Sequence, residues 1–202
     1  LPVVEIDDRT LLEQTVAGDA GTLESLMTRH SERVYRLAYG IARNHADAEE
    51  IVQDVFLTLV RKGASFEGHA ALTTWIYRVT TNAALNKRRG KRREVEVSLE
   101  EHLPTFKEDG HREGDRSYVL ADWSAILDER VASAEVRDIL AEAIDALPDH
   151  YRAVLILRDV EELSNEEVAA IVEDSLGSVK SRLHRARMAL REQLTRRLGA
   201  WP

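Results

Sequence analysis

Apolar positions between residues 10 and 89 recur at steps of three and four. After Asp19, a plausible helix N-cap, the residues Leu23, Leu26, His30, Val34, Leu37 and Ile41 fall on one stripe. Asn44 and His45 interrupt it. Asp47 is read as the cap of a second helix that turns Ile51, Val55, Phe56 and Leu59 inward and leaves Glu49, Glu50, Gln53 and Asp54 on the opposite face. Gly63, Ser65 and Gly68 punctuate residues 63–70 as a loop. A third helix starts near Leu72 and runs through Trp75, Ile76, Val79 and Ala83 into a run of cations.

The pattern then fades. Residues 94–133 hold Pro104, Gly110 and Gly114 and read as a linker, with a short helix expected near residues 118–130. Periodicity returns with Val136, Ile139, Leu140, Ile144 and Leu147. Pro148 suits the first turn of the next helix, whose Val154 and Leu155 extend the core together with Leu157. Ser164 followed by Glu167 is a capping-box spacing that opens a short helix over Asn165–Val172. A break at residues 173–175 precedes a longer cationic helix. Short helix, tight turn and longer cationic helix make a helix-turn-helix. The fold class expected is all-α: two helical domains joined by an acidic linker, the C-terminal one containing the helix-turn-helix. The boundaries fall at residues 1–93, 94–133 and 134–202.

Charge sharpens this division. The chain carries a net charge of −8, yet residues 87–93 carry +6 and residues 180–202 carry +6. The linker is net −7 and residues 134–179 are net −9. An acidic protein has no general attraction for polyanions, so two cationic stretches kept in acidic surroundings mark particular places where phosphates are met. On the C-terminal helix Ser178, Lys180, Ser181, His184 and Arg185 lie on or near the exposed face, with Val179, Leu183 and Leu190 turned inward. Lys and Arg can bond guanine or phosphate, and Ser can bond phosphate or base. The other reading of this helix is a solvated cationic face in a protein-interaction module.

The run at 87–93 ends a helix, where cations offset the dipole. Six cations in seven residues exceed that need and suggest phosphate contact. Upstream, Phe66 in the loop could stack on an unpaired base. Trp75 reads as core before it reads as a base platform. Asn82 could bond a base edge or simply face solvent. The face Asp47, Glu49, Glu50, Gln53 and Asp54 is either a solvated surface or a dock for a cationic partner.

The sequence has no cysteine, which excludes disulfides, thiolate catalysis and thiolate metal sites. The seven histidines form no metal-binding pair, and no phosphate loop or nucleophile elbow is present, so no cofactor, no metal and no enzymatic activity are expected. No apolar run approaches the length needed to span a bilayer, and residues 1–8 lack the pattern of a secretory leader. A cytoplasmic protein without membrane insertion is expected.

These motifs together resemble the extracytoplasmic-function (ECF) class of bacterial RNA polymerase sigma factors, over almost the whole chain. Asp47-Ala-Glu-Glu-Ile-Val-Gln-Asp-Val-Phe56 resembles the family's polymerase-binding helix. Thr74-Trp-Ile-Tyr-Arg-Val-Thr-Thr-Asn82 resembles the helix that opens the minus-10 element. Leu147-Pro-Asp-His-Tyr-Arg152, Arg158-Asp-Val-Glu-Glu-Leu-Ser164 and Val179-Lys-Ser-Arg-Leu-His-Arg-Ala-Arg187 resemble the domain that reads the minus-35 element. The resemblance implies a promoter-specific initiation factor, monomeric when free, with three kinds of partner. These are core RNA polymerase through its beta and beta-prime subunits, promoter DNA, and an anti-sigma factor. It assigns Asp47, Glu49, Glu50, Gln53 and Asp54 to polymerase docking. It assigns Phe66, Trp75, Asn82, Lys87, Arg88, Arg89, Lys91, Arg92 and Arg93 to minus-10 DNA. It assigns Ser178, Lys180, Ser181, Arg182, His184, Arg185 and Arg187 to minus-35 DNA.

Two departures stand out. Glu173 and Asp174 occupy the turn where family members often have glycine and an apolar residue, so phosphate repulsion or an altered turn is expected. Glu67 puts an anion beside Phe66. Two other classes fit parts of the pattern. A dimeric repressor or activator needs no second DNA surface, which the run at 87–93 suggests. A protein-interaction adaptor predicts no salt-dependent nucleic-acid binding.

Overall fold

A computed structural model describes residues 6–66, 68, 71–91 and 134–198. Every regular element among them is helical. The linker and the helix expected at residues 118–130 lie outside the described residues. The described residues form two compact units, the first within residues 6–91 with 156–173, the second of residues 134–155 with 174–198.

In the first unit α1 spans Asp8–Val16 and α2 spans Ala20–Ala42. Asp7 caps α1 by accepting from the amides of Arg9 and Thr10, both at 3.0 Å. Asp19 caps α2 through the amide of Gly21 at 2.9 Å. The stripe expected on α2 is buried at Leu26, His30, Val34, Leu37 and Ile41 and partly covered at Leu23. His30 is buried because it bonds across to Asp8 of α1, Nε2 to Oδ2, at 2.8 Å.

Helix α3 spans His45–Lys62, and its cap corrects the sequence reading. Asn44 is the N-cap, and its side chain accepts from the amide of Asp47 at 3.0 Å. Asp47 is therefore the third residue of the helix and sits at the edge of the core. The apparent break at Asn44 was the cap itself: a short amide side chain reaches the exposed amides as well as a carboxylate does. Ile51, Val55, Phe56 and Leu59 are buried as the spacing predicts. A 3-10 turn at Gly63–Ser65 follows. A β-carbon on Gly63 would lie 2.7 Å from Val16 Cγ2 and 2.8 Å from Leu12 Cδ1, so glycine lets α1 close on this turn. Helix α4 spans Leu72–Lys91 and packs against α2 and α3.

The segment 156–173 belongs to the same unit. A wide π turn over Ile156–Val160 ends with the amide of Glu161 donating to Ile156 at 2.9 Å. The Glu161 carboxylate is buried, with a side chain 1% exposed. Arg36 grips it through Nε at 2.7 Å and Nη2 at 2.8 Å, and the Tyr77 hydroxyl donates to it at 3.2 Å. Burial, and then the neighbouring carboxylate, push the Tyr77 phenol up to about 12. The expected capping box at Ser164 and Glu167 is present, and it opens the short helix Asn165–Val172, here α7.

The second unit contains α5 (Ala134–Asp145), α6 (Asp149–Leu155) and α8 (Leu176–Leu198), with α8 packed on α5 and α6. Arg152 is fully buried. It donates to the carbonyls of Ile144 at 2.9 Å, Leu147 at 2.8 Å and Asp145, which closes the C-terminus of α5.

Candidate nucleic-acid and docking surfaces

On α3 the residues Glu49, Glu50, Gln53 and Asp54 are exposed, and Asp47 is set apart by its burial. Two apolar residues missed in the sequence continue this face: Leu57 is 49% exposed and Val60 is 40% exposed. Steps of three and four from Glu50 through Gln53, Leu57 and Val60 were the available signal, since apolar residues on a polar stripe have no core to fill. A shallow cleft of about 440 Å³, lined by Ser31, Glu32, Tyr35, Glu49, Val52 and Gln53, lies beside it. The exposed face of α3 thus runs from an acidic N-terminal half to an apolar pair nearer its C-terminus.

The cations that end α4 do not act as a block. Lys87 Nζ lies 2.5 Å from Glu50 Oε1, and this hydrogen bond raises its affinity for its proton. Arg88 is buried and turned toward the C-terminus of α2, 3.4 Å from the carbonyl of Ile41 and 3.5 Å from that of Ala42. This inward placement departs from the phosphate contact that the sequence suggests. A helix distributes consecutive residues around its axis, so one cation in such a run must meet the core. Arg89 and Asn82 are exposed. The side chain of Lys91, together with Arg92 and Arg93, falls outside the described residues.

Phe66 and Trp75 are both partly buried, with ring centroids 5.8 Å apart and planes tilted by 48°. Phe66 also lines a cleft of about 460 Å³ with Asp7, Asp8, Arg9, Gly68, Ala71, Leu72 and Thr73. The contribution of α1 to this cleft was not legible, because nothing in the local pattern of residues 7–9 marks what they face. Glu67 lies outside the described residues.

On α8, Lys180 is exposed, while Ser178, Ser181, Arg182, His184, Arg185 and Arg187 are partly covered. Arg185 lies 3.4 Å from the Tyr151 hydroxyl of α6. The turn that precedes the helix holds the two unexpected carboxylates in different ways. Glu173 adopts the left-handed conformation, φ 55° and ψ 47°, that glycine commonly supplies, and its carboxylate accepts from Arg78 at 2.8 Å. The turn thus keeps its shape at a conformational cost of roughly 1 kcal/mol. Asp174 accepts from the amide of Ser175 at 2.7 Å and the hydroxyl of Ser178 at 2.9 Å, and pairs with Arg182 at 2.6 Å. Burial alone would push this carboxyl up. The donors from Ser178 and Ser175 and the charge of Arg182 outweigh it and hold it below its ordinary 3.8.

Among the described residues every regular element is helical, with a capped short helix, a left-handed turn and a longer cationic helix in sequence order. Comparison with known proteins gives the class. The Sigma-70 region 2 profile matches residues 26–94, and the Sigma-70, region 4 profile matches residues 137–190. The chain is 30% identical over 187 residues to the ECF RNA polymerase sigma factor SigW of Bacillus subtilis, covering 91% of this chain and 94% of that protein. It is 28% identical over 186 residues to the ECF RNA polymerase sigma-E factor of Escherichia coli K12, covering 92% and 93%. Against the ECF sigma factor SigE of Mycolicibacterium smegmatis it is 34% identical, over 89% of this chain and 65% of that protein. The fold is that of CnrH in its complex with the cytosolic domain of CnrY, with a TM-score of 0.63 and 20% identity over 94% of this chain and 97% of that one. It is also that of RpoE in complex with the anti-sigma factor NepR from Bartonella quintana, with a TM-score of 0.59 and 24% identity over 85% and 96%. The chain belongs to the ECF class of RNA polymerase sigma factors. It is an alternative sigma factor, a promoter-recognising protein of transcription initiation.

Proposed function

We propose that residues 1–93 act as the region 2 domain, which binds core RNA polymerase and recognises and melts the minus-10 element. Residues 94–133 act as an acidic linker, and residues 134–202 as the region 4 domain that reads the minus-35 element. The observation that carries this reading is the α3 face, where Glu49, Glu50, Gln53 and Asp54 border exposed Leu57 and Val60. Anions followed by an exposed apolar pair suit a basic helical surface on the beta-prime subunit, with the beta subunit also in reach of a chain that contacts two promoter elements. Asp47 supports the face from below by its place in the first turn of α3.

The Phe66 cleft receives a displaced minus-10 base, since an extracted base needs a stacking surface and a pocket. Asn82 and Arg89, both exposed farther along α4, serve the same element. Lys180, Ser181, His184, Arg185 and Arg187 serve the minus-35 duplex from α8. The protein adds no bond chemistry; it directs that of the polymerase. It acts in the cytoplasm as a monomer when free. The likeness to RpoE in its complex with the anti-sigma factor NepR supports an anti-sigma partner, which would cover the acidic face.

Run-off transcription with core polymerase on genomic fragments tests the reading and yields the promoter. The double variant Glu49→Lys, Asp54→Lys should abolish run-off product while its melting temperature stays within a few degrees of wild type. Retained transcription in that variant overturns the docking assignment. The isolated chain should leave promoter duplex unprotected until core polymerase is added, because its net charge opposes DNA binding.

A further inference from the structure

The entrance of α8 holds an arrangement that neither the family assignment nor the charge pattern explains. A phosphate at the start of a recognition helix takes its hydrogen bonds from exposed amides, from hydroxyls and from guanidinium groups. Asp174 already takes one donor of each kind: the Ser175 amide at 2.7 Å, the Ser178 hydroxyl at 2.9 Å and Arg182 Nη2 at 2.6 Å. Ser178 and Arg182 are two of the seven residues assigned to minus-35 DNA. Ser178 and Arg182 stand one turn apart on one edge of the helix, and Asp174 reaches both from the turn that precedes it. The Asp174 side chain is 26% exposed and that of Arg182 is 33% exposed, which leaves the pair reachable from solvent. Ser175 caps the helix separately, since its hydroxyl accepts from the Ser178 amide at 3.1 Å. The cap is therefore complete without the Asp174 carboxylate.

We propose that Asp174 is an internal substitute for a DNA phosphate: it holds Ser178 and Arg182 in the free protein and must give them up when region 4 meets the minus-35 element. Asp174 is thus a determinant of promoter affinity that acts by competition and has no contact with DNA of its own. It weakens capture of DNA by α8 alone, and DNA engagement depends the more on polymerase, which supplies the remaining contacts. This inference rests on the reading of α8 as the minus-35 helix.

The test uses the full chain with core polymerase on a promoter fragment obtained by run-off selection, with affinity measured across a salt series. Asp174→Asn keeps the shape of the side chain and removes its charge. It should tighten promoter binding by about 3- to 10-fold and steepen the slope of log affinity against log salt by about one, as Arg182 is released to a phosphate. A second measurement separates competition from a general loss of negative charge. Arg182→Ala should change affinity little in the wild-type background and several-fold more in the Asp174→Asn background. Equal effects of Arg182→Ala in the two backgrounds, or weaker binding by a folded Asp174→Asn variant, overturn the proposal. Lys180→Ala and Arg185→Ala serve as the control on the underlying reading: if neither lowers promoter affinity, α8 is not the minus-35 helix. If both lower it while Asp174→Asn leaves it unchanged, only the role of Asp174 fails.

Discussion

The cationic stretch that ends α4 and the one that runs along α8 carry the same net charge, +6 over residues 87–93 and +6 over residues 180–202. They use it differently. In the first, consecutive cations are dealt around the helix, so Lys87 meets Glu50 on α3 and Arg88 enters the core against the end of α2. In the second, seven cations are spread between Lys180 and Arg197, and the inward positions go to Val179, Leu183 and Ala186. Charge density along a sequence therefore overstates the charge a surface presents, and spacing decides how much reaches solvent. Anions then trim what remains: Glu50 holds Lys87 of the first stretch, and Asp174, Glu192 and Glu142 hold Arg182, Arg196 and Arg197 of the second.

The largest effect that separates the two stretches should come from Arg88. Arg88→Met removes a buried guanidinium from two carbonyls and should destabilise the protein by about 2 kcal/mol, read from urea unfolding. A change within experimental error would show that Arg88 is not a core element. Exposed cations should behave in the opposite way. Arg89→Ala and Lys180→Ala should each leave unfolding unchanged and lower the salt slope of promoter binding by the polymerase complex by about one. A loss of affinity without a change in slope would mean that neither meets phosphate. A smaller effect is expected at acid pH. The Asp174 carboxyl ionises more readily in the folded chain than its ordinary 3.8, so its contribution to stability is present above that value. It is lost as pH falls through the lower folded value. A titration of this carboxyl followed by NMR should show a midpoint below 3.8, and Asp174→Asn should remove that part of the acid transition. The smallest effect should come from Lys87→Ala, whose ion pair with Glu50 is solvent-screened and should leave the melting temperature nearly unchanged.

The helices and their inward stripes were legible because burial imposes its period on the sequence. His30, Ile51 and Val55 lie where the spacing puts them. The capping box at Ser164 was legible because it is local, with both partners within four residues. The cap of α3 was misplaced by three residues, since Asn44 and Asp47 are equally good caps until the chain geometry chooses. Long-range partners were not legible. Nothing near Arg88 announces the carbonyls of Ile41 and Ala42, and nothing near Glu161 announces Arg36, 125 residues away. The exposed apolar pair Leu57 and Val60 was legible in its steps from Glu50 and Gln53, and the burial of the other face of α3 fixes how exposed the pair is.

Glu173 carries a further consequence, in the terms of mutational history. It holds a left-handed backbone that glycine would adopt without strain, and a single base change in a glutamate codon gives glycine. Relief of the turn is thus one step away for the gene. Glu173→Gly trades the ion pair with Arg78 for a relaxed backbone, so the position is a natural site for second-site suppressors of destabilising changes elsewhere in the protein.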